Sequence, residues 1–151
     1  MIVDYLMMFT KDEGQKLTAA AVSDFRLDFG QPKPTTGYAY GDLVAVFTVK
    51  ADVTGNLTIS LQDSDTETSG FADVTTAVTL AAPKAGTQIV IPIPYHHKRY
   101  MQANFAGTVS VGTVHGFITS GFQDNAGFEQ APSIKTCLLY TSDAADDMQC
   151  V

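Results

Sequence analysis

Polar and apolar residues alternate most regularly in two runs that flank a proline-marked turn. The first run is Gln88–Ile93, in which every second residue is an isoleucine. The second run is Tyr100–Phe105, and Pro94–Arg99 lies between the two. Period-two alternation on both sides of a turn predicts two paired strands, each buried on one face.

The same pattern recurs along the chain and predicts about eight strands. They are Val3–Thr10, Val22–Phe29, Leu43–Val49, Leu57–Asp63, Val74–Leu80, Gln88–Ile93, Tyr100–Phe105 and Thr113–Gln123. Gly55-Asn56 predicts a tight turn, and Gly116 inside the last strand is typical of a bulge. A short helix would fit only at residues 11–21, where Gly14 counts against it. The sequence therefore predicts an all-β fold, an antiparallel β-sandwich or jelly roll, as a single domain over residues 1–136.

Size and charge narrow the class of protein. A chain of 151 residues with 45% hydrophobic and 17% charged residues has the composition of one folded domain. The formal charge of −7, with basic residues scattered along the chain, argues against binding to a nucleic-acid backbone. There is no apolar run long enough to cross a membrane, and the N-terminus lacks the basic region of a secretory signal. We expect the protein to be made in a cytoplasm and used there or released by lysis.

The last fifteen residues do not continue the strand pattern. Cys137–Val151 resembles a translated sequencing adapter, of the kind found at the ends of chains assembled from metagenomes. The alternative is a short C-terminal helix that Ser142 would cap. Both cysteines of the chain lie in this segment, so for residues 1–136 we expect no disulfide and no thiolate chemistry.

Three groups of residues are candidates for metal ligands. Asp63, Asp65 and Glu67 alternate in one loop, but they lack the glycine and the final glutamate of a calcium loop, so a solvated loop is favoured. His96 and His97 point apart if their segment is extended, and neither they nor His115 have partners at zinc-site spacing. Nucleophile and phosphate-loop motifs are absent as well. The sequence therefore predicts no metal, no cofactor and no catalytic residue.

Exposed aromatic side chains could instead stack on sugar rings. The candidates for such a platform are Tyr5, Tyr38, Tyr40, Tyr95 and Tyr100. Tyrosines at strand ends more often anchor a core while the hydroxyl stays in water. A carbohydrate-binding module is therefore the alternative hypothesis for function.

Six segments in order resemble the capsid cement, or decoration, proteins of tailed phages. They are VDYLMMF, the strand that ends Asp28-Phe29-Gly30, LTISLQDSD, KAGTQIVIPIP, KRYMQANF and TVSVGTVHGFITSGFQ, which together span about residues 1–123. The resemblance implies a jelly-roll domain without enzyme activity that binds the outer capsid surface as a dimer, with the major capsid protein as its partner. The family contributes no contact motif. As a possible capsid contact we select the turn residues Tyr95, His96, His97 and Lys98, which we expect to be exposed.

Overall fold

The computed structural model describes residues 5–31 and 43–120. In these ranges the chain forms a 3₁₀ turn, Tyr5–Met7, followed by ten strands. The strands are β1 (Gln15–Lys16), β2 (Ala21–Val22), β3 (Leu27–Asp28), β4 (Leu43–Thr54), β5 (Asn56–Ser64), β6 (Ala72–Asp73), β7 (Val78–Ala81), β8 (Gln88–Pro92), β9 (Tyr100–Gly107) and β10 (Val111–Ser120). No helix in the described ranges is long and apolar enough to cross a membrane.

The strands form two antiparallel sheets. The four-stranded sheet has the order β1-β10-β4-β8. In the six-stranded sheet the order is β2-β9-β5-β6, with β3 also paired to β9 and β7 also paired to β5. The predicted all-β antiparallel sandwich is therefore confirmed.

The inner faces of the two sheets meet in one apolar core. At its centre the rings of Phe9, Phe47 and Phe105 are fully buried. The ring centroids of Phe9 and Phe47 lie 5.6 Å apart, and Phe105 meets Phe47 edge-on at 5.9 Å. Burying each such side chain contributes about 1.5–3 kcal/mol, so this aromatic contact between the sheets is a main source of stability.

One prediction about strand pairing is wrong. Strands β8 and β9 flank the proline-marked turn, but they do not pair with each other. β8 pairs with β4 in the four-stranded sheet, and β9 pairs with β5 in the six-stranded sheet. The alternation shows only that each strand has one buried face. Two strands that lie in opposite sheets, facing the same core, have the same alternation as two strands that pair. Residues 93–99 therefore cross from one sheet to the other; we call this segment the crossover.

Other predicted elements need smaller corrections. Tyr5–Met7 is a 3₁₀ turn, and among residues 5–10 of the predicted first strand Met8 alone forms a bridge, to Phe117. The segment 22–29 is not one continuous strand: it holds the end of β2 and all of β3, with residues 23–26 between them. Of the predicted strand 74–80, residues 78–80 belong to β7, while residues 74–77 lie between β6 and β7. Residues 11–21 hold β1 and the start of β2 rather than a helix.

Of the two predictions about glycines, the tight turn at Gly55 is confirmed and the bulge at Gly116 is wrong. Gly55 does form a tight turn, but the turn links β4 to β5 in the opposite sheet. Gly116 is not a bulge, since it pairs regularly with Phe47, and the register of β10 shifts instead between Val111 and Val114. The predicted non-native tail, Cys137–Val151, lies outside the described residues.

Candidate functional site

The crossover is the site selected from sequence, and its first residue is fixed to the four-stranded sheet. The Ile93 side chain is buried, with 2% of its surface exposed. Its amide donates a hydrogen bond to the Leu43 carbonyl at 3.0 Å. This end of the crossover therefore continues the β8–β4 ladder by one residue.

The far end of the crossover is fixed to the six-stranded sheet through the peptide groups of Lys98. Its amide donates to Asp63 Oδ2 at 2.9 Å. Its carbonyl lies 2.8 Å from His97 Nδ1, and because a carbonyl can only accept, that nitrogen carries the proton. Both polar backbone groups of Lys98 are thus bound by side chains.

His97 is buried, contrary to the expectation that it is exposed. Only 7% of its surface is accessible, and its ring packs against Phe29 with centroids 4.3 Å apart. Its Nε2 atom is buried without a hydrogen-bond partner. His97 therefore packs beneath the crossover as an apolar side chain would, and it is not accessible to a binding partner.

Arg99 closes the base of the crossover with a bidentate ion pair. Its Nε and Nη2 donate to the two carboxylate oxygens of Asp28 at 2.7 and 2.8 Å. These bonds from Arg99, followed by the amide of Gly30, lower the pKa of Asp28 to about 2. The Arg99 carbonyl accepts from the amide of Phe29 at 2.9 Å. Both side chains of the pair are partly exposed, so salt weakens this contact.

Between these anchors, His96 forms an isolated β-bridge, while Pro94 and Tyr95 lie outside the strands and bridges of the described residues. The Tyr95 side chain is 41% exposed, and His96 is exposed as well. Their rings meet edge-on with centroids 4.7 Å apart. The pair is therefore a small aromatic tip on an anchored backbone, and Lys98 beside it is half-buried.

A shallow groove of about 640 Å³ runs beside this tip. It lies between β7 of one sheet and β8 of the other. Its lining comes from β8, the crossover, β7 and residues 74–76 before β7, and includes Val74, Val78, Val90, Pro92, Tyr95 and His96. The groove is mostly apolar, as expected for the gap between two sheet edges.

The acidic residues considered as calcium ligands, Asp63, Asp65 and Glu67, do not point to a common site. Asp63 faces inward, 7% exposed, and its carboxylate is hydrogen-bonded to the crossover. Asp65 is exposed and lies 3.9 Å from the Lys98 ammonium, and Glu67 is exposed too. Within residues 5–31 and 43–120, no three His, Cys, Asp or Glu side chains gather as a metal site would require.

The remaining candidates are dispersed. His115 lies on β10 with its ring 5.4 Å from that of Phe117. Tyr100 opens β9, and the guanidinium of Arg99 lies 5.1 Å from its ring centroid. Tyr38 and Tyr40 lie outside the described residues, as does the side chain of Tyr5. Of the five tyrosines, the structure therefore describes the side chains of Tyr95 and Tyr100 only.

Sequence reasoning missed the roles of Asp28 and Asp63 as anchors. For Asp63 a signal was present. The residue continues the inward face of β5 after Leu57, Ile59 and Leu61, all fully buried. An acidic residue on the apolar face of a strand indicates a buried hydrogen-bond partner. Asp28 carried no such signal, because it lies on the outward face of its strand.

Comparison with known proteins gives one family. The family model described as Bbp16 matches residues 11–121, which is more than half of the chain. No curated protein matches the chain. The chain belongs to the Bbp16 family.

Proposed function

We propose that this member of the Bbp16 family is a non-enzymatic structural protein of a phage virion. It binds the outer capsid surface through the major capsid protein, as a dimer, and stabilises the junctions between capsomers. The observation that carries the proposal is the crossover, where Tyr95 and His96 are exposed on a backbone fixed to both sheets. The resemblance to capsid cement proteins supplies the virion setting, and membership of the Bbp16 family is compatible with it.

A preformed aromatic tip suits binding to a rigid lattice. Tyrosine supplies a large contact area with few rotatable bonds, and such residues dominate the energy of many interfaces. Because the backbone on either side is already fixed, binding does not have to order it, and that entropy cost is avoided. The crossover is therefore suited to act as one foothold.

A dimer would repeat this foothold by symmetry. When two weak footholds are tethered on one lattice, the effective affinity rises by about 10²–10⁴ over a single contact. Bridging two capsomers also adds contacts that must break before they separate. We therefore expect capsids that carry the protein to withstand heat and osmotic stress better than capsids without it.

The proposal is tested by adding the purified protein to preformed capsids of its phage that lack it. We expect the wild-type protein to bind, and the double variant Y95A/H96A to bind about tenfold more weakly or worse. The melting temperature should stay unchanged, because both side chains are exposed. V111A is the control, since Val111 is 60% exposed and pairs with Thr54, at the opposite end of β4 from the crossover. It should bind like the wild type.

Two results would count against the proposal. Unchanged capsid occupancy of Y95A/H96A would remove the crossover from the contact surface. Failure of the intact protein to bind any capsid shell would remove the virion function itself.

A carbohydrate-binding module is the second candidate, and one observation favours it. The exposed Tyr95 ring stands beside the apolar groove, where a sugar ring could stack. The same Y95A/H96A variant separates the two functions. Loss of binding to glycans, with no capsid binding by the wild-type protein, would favour the module.

A further inference from the structure

We propose that Asp63 is the positioning residue of the crossover. By holding the backbone of Lys98, it fixes the segment that presents Tyr95 and His96. The inference rests on the proposed function only for the test that measures capsid binding. The other test uses the free protein alone, so the inference and the proposed function can fail separately.

Asp63 lies inside the six-stranded sheet, with a paired strand on each side. It lies in β5, opposite Met101 of β9 on one side and Ala72 of β6 on the other. Its side chain is 7% exposed. A carboxylate buried to this extent needs hydrogen-bond donors, and the amide of Lys98 at 2.9 Å is one. The carboxylate is therefore a fixed point to which the crossover is attached.

The attachment reaches the tip through two residues. The amide of Lys98 is held by Asp63, and its carbonyl is held by His97 Nδ1. The second contact orients the His97 ring against Phe29. His97 follows His96 directly in the chain, so this attachment restrains the backbone beside His96, which forms an isolated β-bridge of its own.

The other ion pair at the base is less suited to this role. Asp28 and Arg99 are both partly exposed, and their contact is open to salt and water. It also acts one residue further from the tip. Asp63 instead forms a charge-assisted hydrogen bond away from water, where such bonds are strongest.

The free protein provides the first test. Hydrogen exchange is measured at the Lys98 amide, and backbone order at Tyr95 and His96 is measured by NMR relaxation. In D63A the amide should exchange about tenfold faster or more, since bonds to charged groups have about that strength. Order at residues 95 and 96 should fall. D63N keeps an oxygen acceptor of the same size, so its effect should be smaller in the same direction.

D52N is the matched control. Asp52 also accepts a backbone amide across the fold, from Ala85 at 2.8 Å. This bond holds the turn before β8, at the other end of that strand from the crossover. D52N should leave Lys98 exchange and the order of Tyr95 and His96 as in the wild type.

Capsid binding provides the second test, as a double-mutant cycle. D63N should weaken binding severalfold in the wild-type background and have no further effect in Y95A/H96A. A merely structural role would lower stability but would weaken binding equally in both backgrounds.

The inference is overturned if folded D63N and D63A leave the order of Tyr95 and His96 unchanged. It is also overturned if capsid binding responds to D63N equally in both backgrounds. If the free-protein results are as expected but no capsid is bound, the positioning role of Asp63 stands and the proposed function falls.

Discussion

Gly116 on β10 lies directly opposite Phe47 on β4, and the Phe47 ring fills the space that a side chain at position 116 would need. A Cβ atom there would lie 2.5 Å from Phe47 Cε1 and 2.6 Å from Cδ1. The ring cannot retreat, because Phe9 stacks on it and Phe105 meets it edge-on. Covering a strand glycine with a cross-strand aromatic ring is a known way of pinning register.

G116A should therefore destabilise the fold by about 1–3 kcal/mol, the usual cost of overpacking a core. Denaturant unfolding measures this. In the double variant G116A/F47L the loss should be smaller than the sum of the two single losses, because the smaller side chain relieves the clash. Simple additivity would contradict this account.

The corner between the sheets depends on two glycines with left-handed backbone. Gly55 has φ of 92° and Gly107 has φ of 101°. A Cβ at Gly55 would lie 2.2 Å from the Thr108 carbonyl oxygen. Asn56 and Thr108 are joined here by two hydrogen bonds, each of 3.0 Å. Two passages between the sheets, from β4 to β5 and from β9 to β10, are thus tied together at one place.

G55A should cost clearly more stability than G86A. Gly86 has nearly the same backbone, φ of 89°, but a Cβ atom added there would have nothing within 4 Å. G86A should thus lower stability only through backbone strain, by on the order of 1 kcal/mol. The additional loss of stability in G55A then measures the clash with Thr108. Equal melting temperatures for the two variants would show that the corner can relax.

Among the described residues, β8 is the last strand of its sheet, and Pro92 protects this edge. The amide of Ile93 and the carbonyl of Thr87 face β4, so in the alternating ladder the backbone of Gln88, Val90 and Pro92 faces outward. Pro92 has no N–H to offer there, which discourages the addition of another strand.

P92T should restore an outward N–H and promote self-association beyond the wild-type state. Light scattering over a concentration series measures it. P92K restores the same N–H but adds a charge, which protects edges, so it should behave like the wild type. If P92T keeps the wild-type mass at every concentration, the proline has no protective role.

His115 should make stability fall on mild acidification. Burial lowers its pKa below the usual 6.5, Lys50 acts in the same direction, and Asp12 opposes. Its Nε2 is buried without a hydrogen-bond partner. Because the folded state binds the proton less readily than the unfolded state, stability is full above pH 6.5 and is lost as the pH falls below it.

The slope from this one group is at most about 1.4 kcal/mol per pH unit. H115Q should flatten the change in unfolding free energy between pH 7.5 and 5. An unchanged slope in H115Q would assign the pH dependence to other groups.

The sequence by itself determined which face of each long strand is buried. Ile89, Ile91 and Ile93 face the core as their spacing predicts, and so do Leu57, Ile59 and Leu61. This follows from local geometry, because successive side chains of any extended strand point to opposite sides. The all-β class followed in the same way from the recurrence of such runs.

Only the tertiary structure decided the partners. Alternation is the same whether β8 pairs with β9 or with β4, so the crossing between sheets at residues 93–99 was not visible in the pattern. The burial of His97 and the bond from Asp63 to Lys98 likewise join residues that are distant in sequence or differently exposed than their neighbours. Strand pairing and side-chain burial depend on which groups meet in space. The hydrophobic pattern of a sequence indicates which face of a strand is buried, but it does not indicate which strand lies beside it.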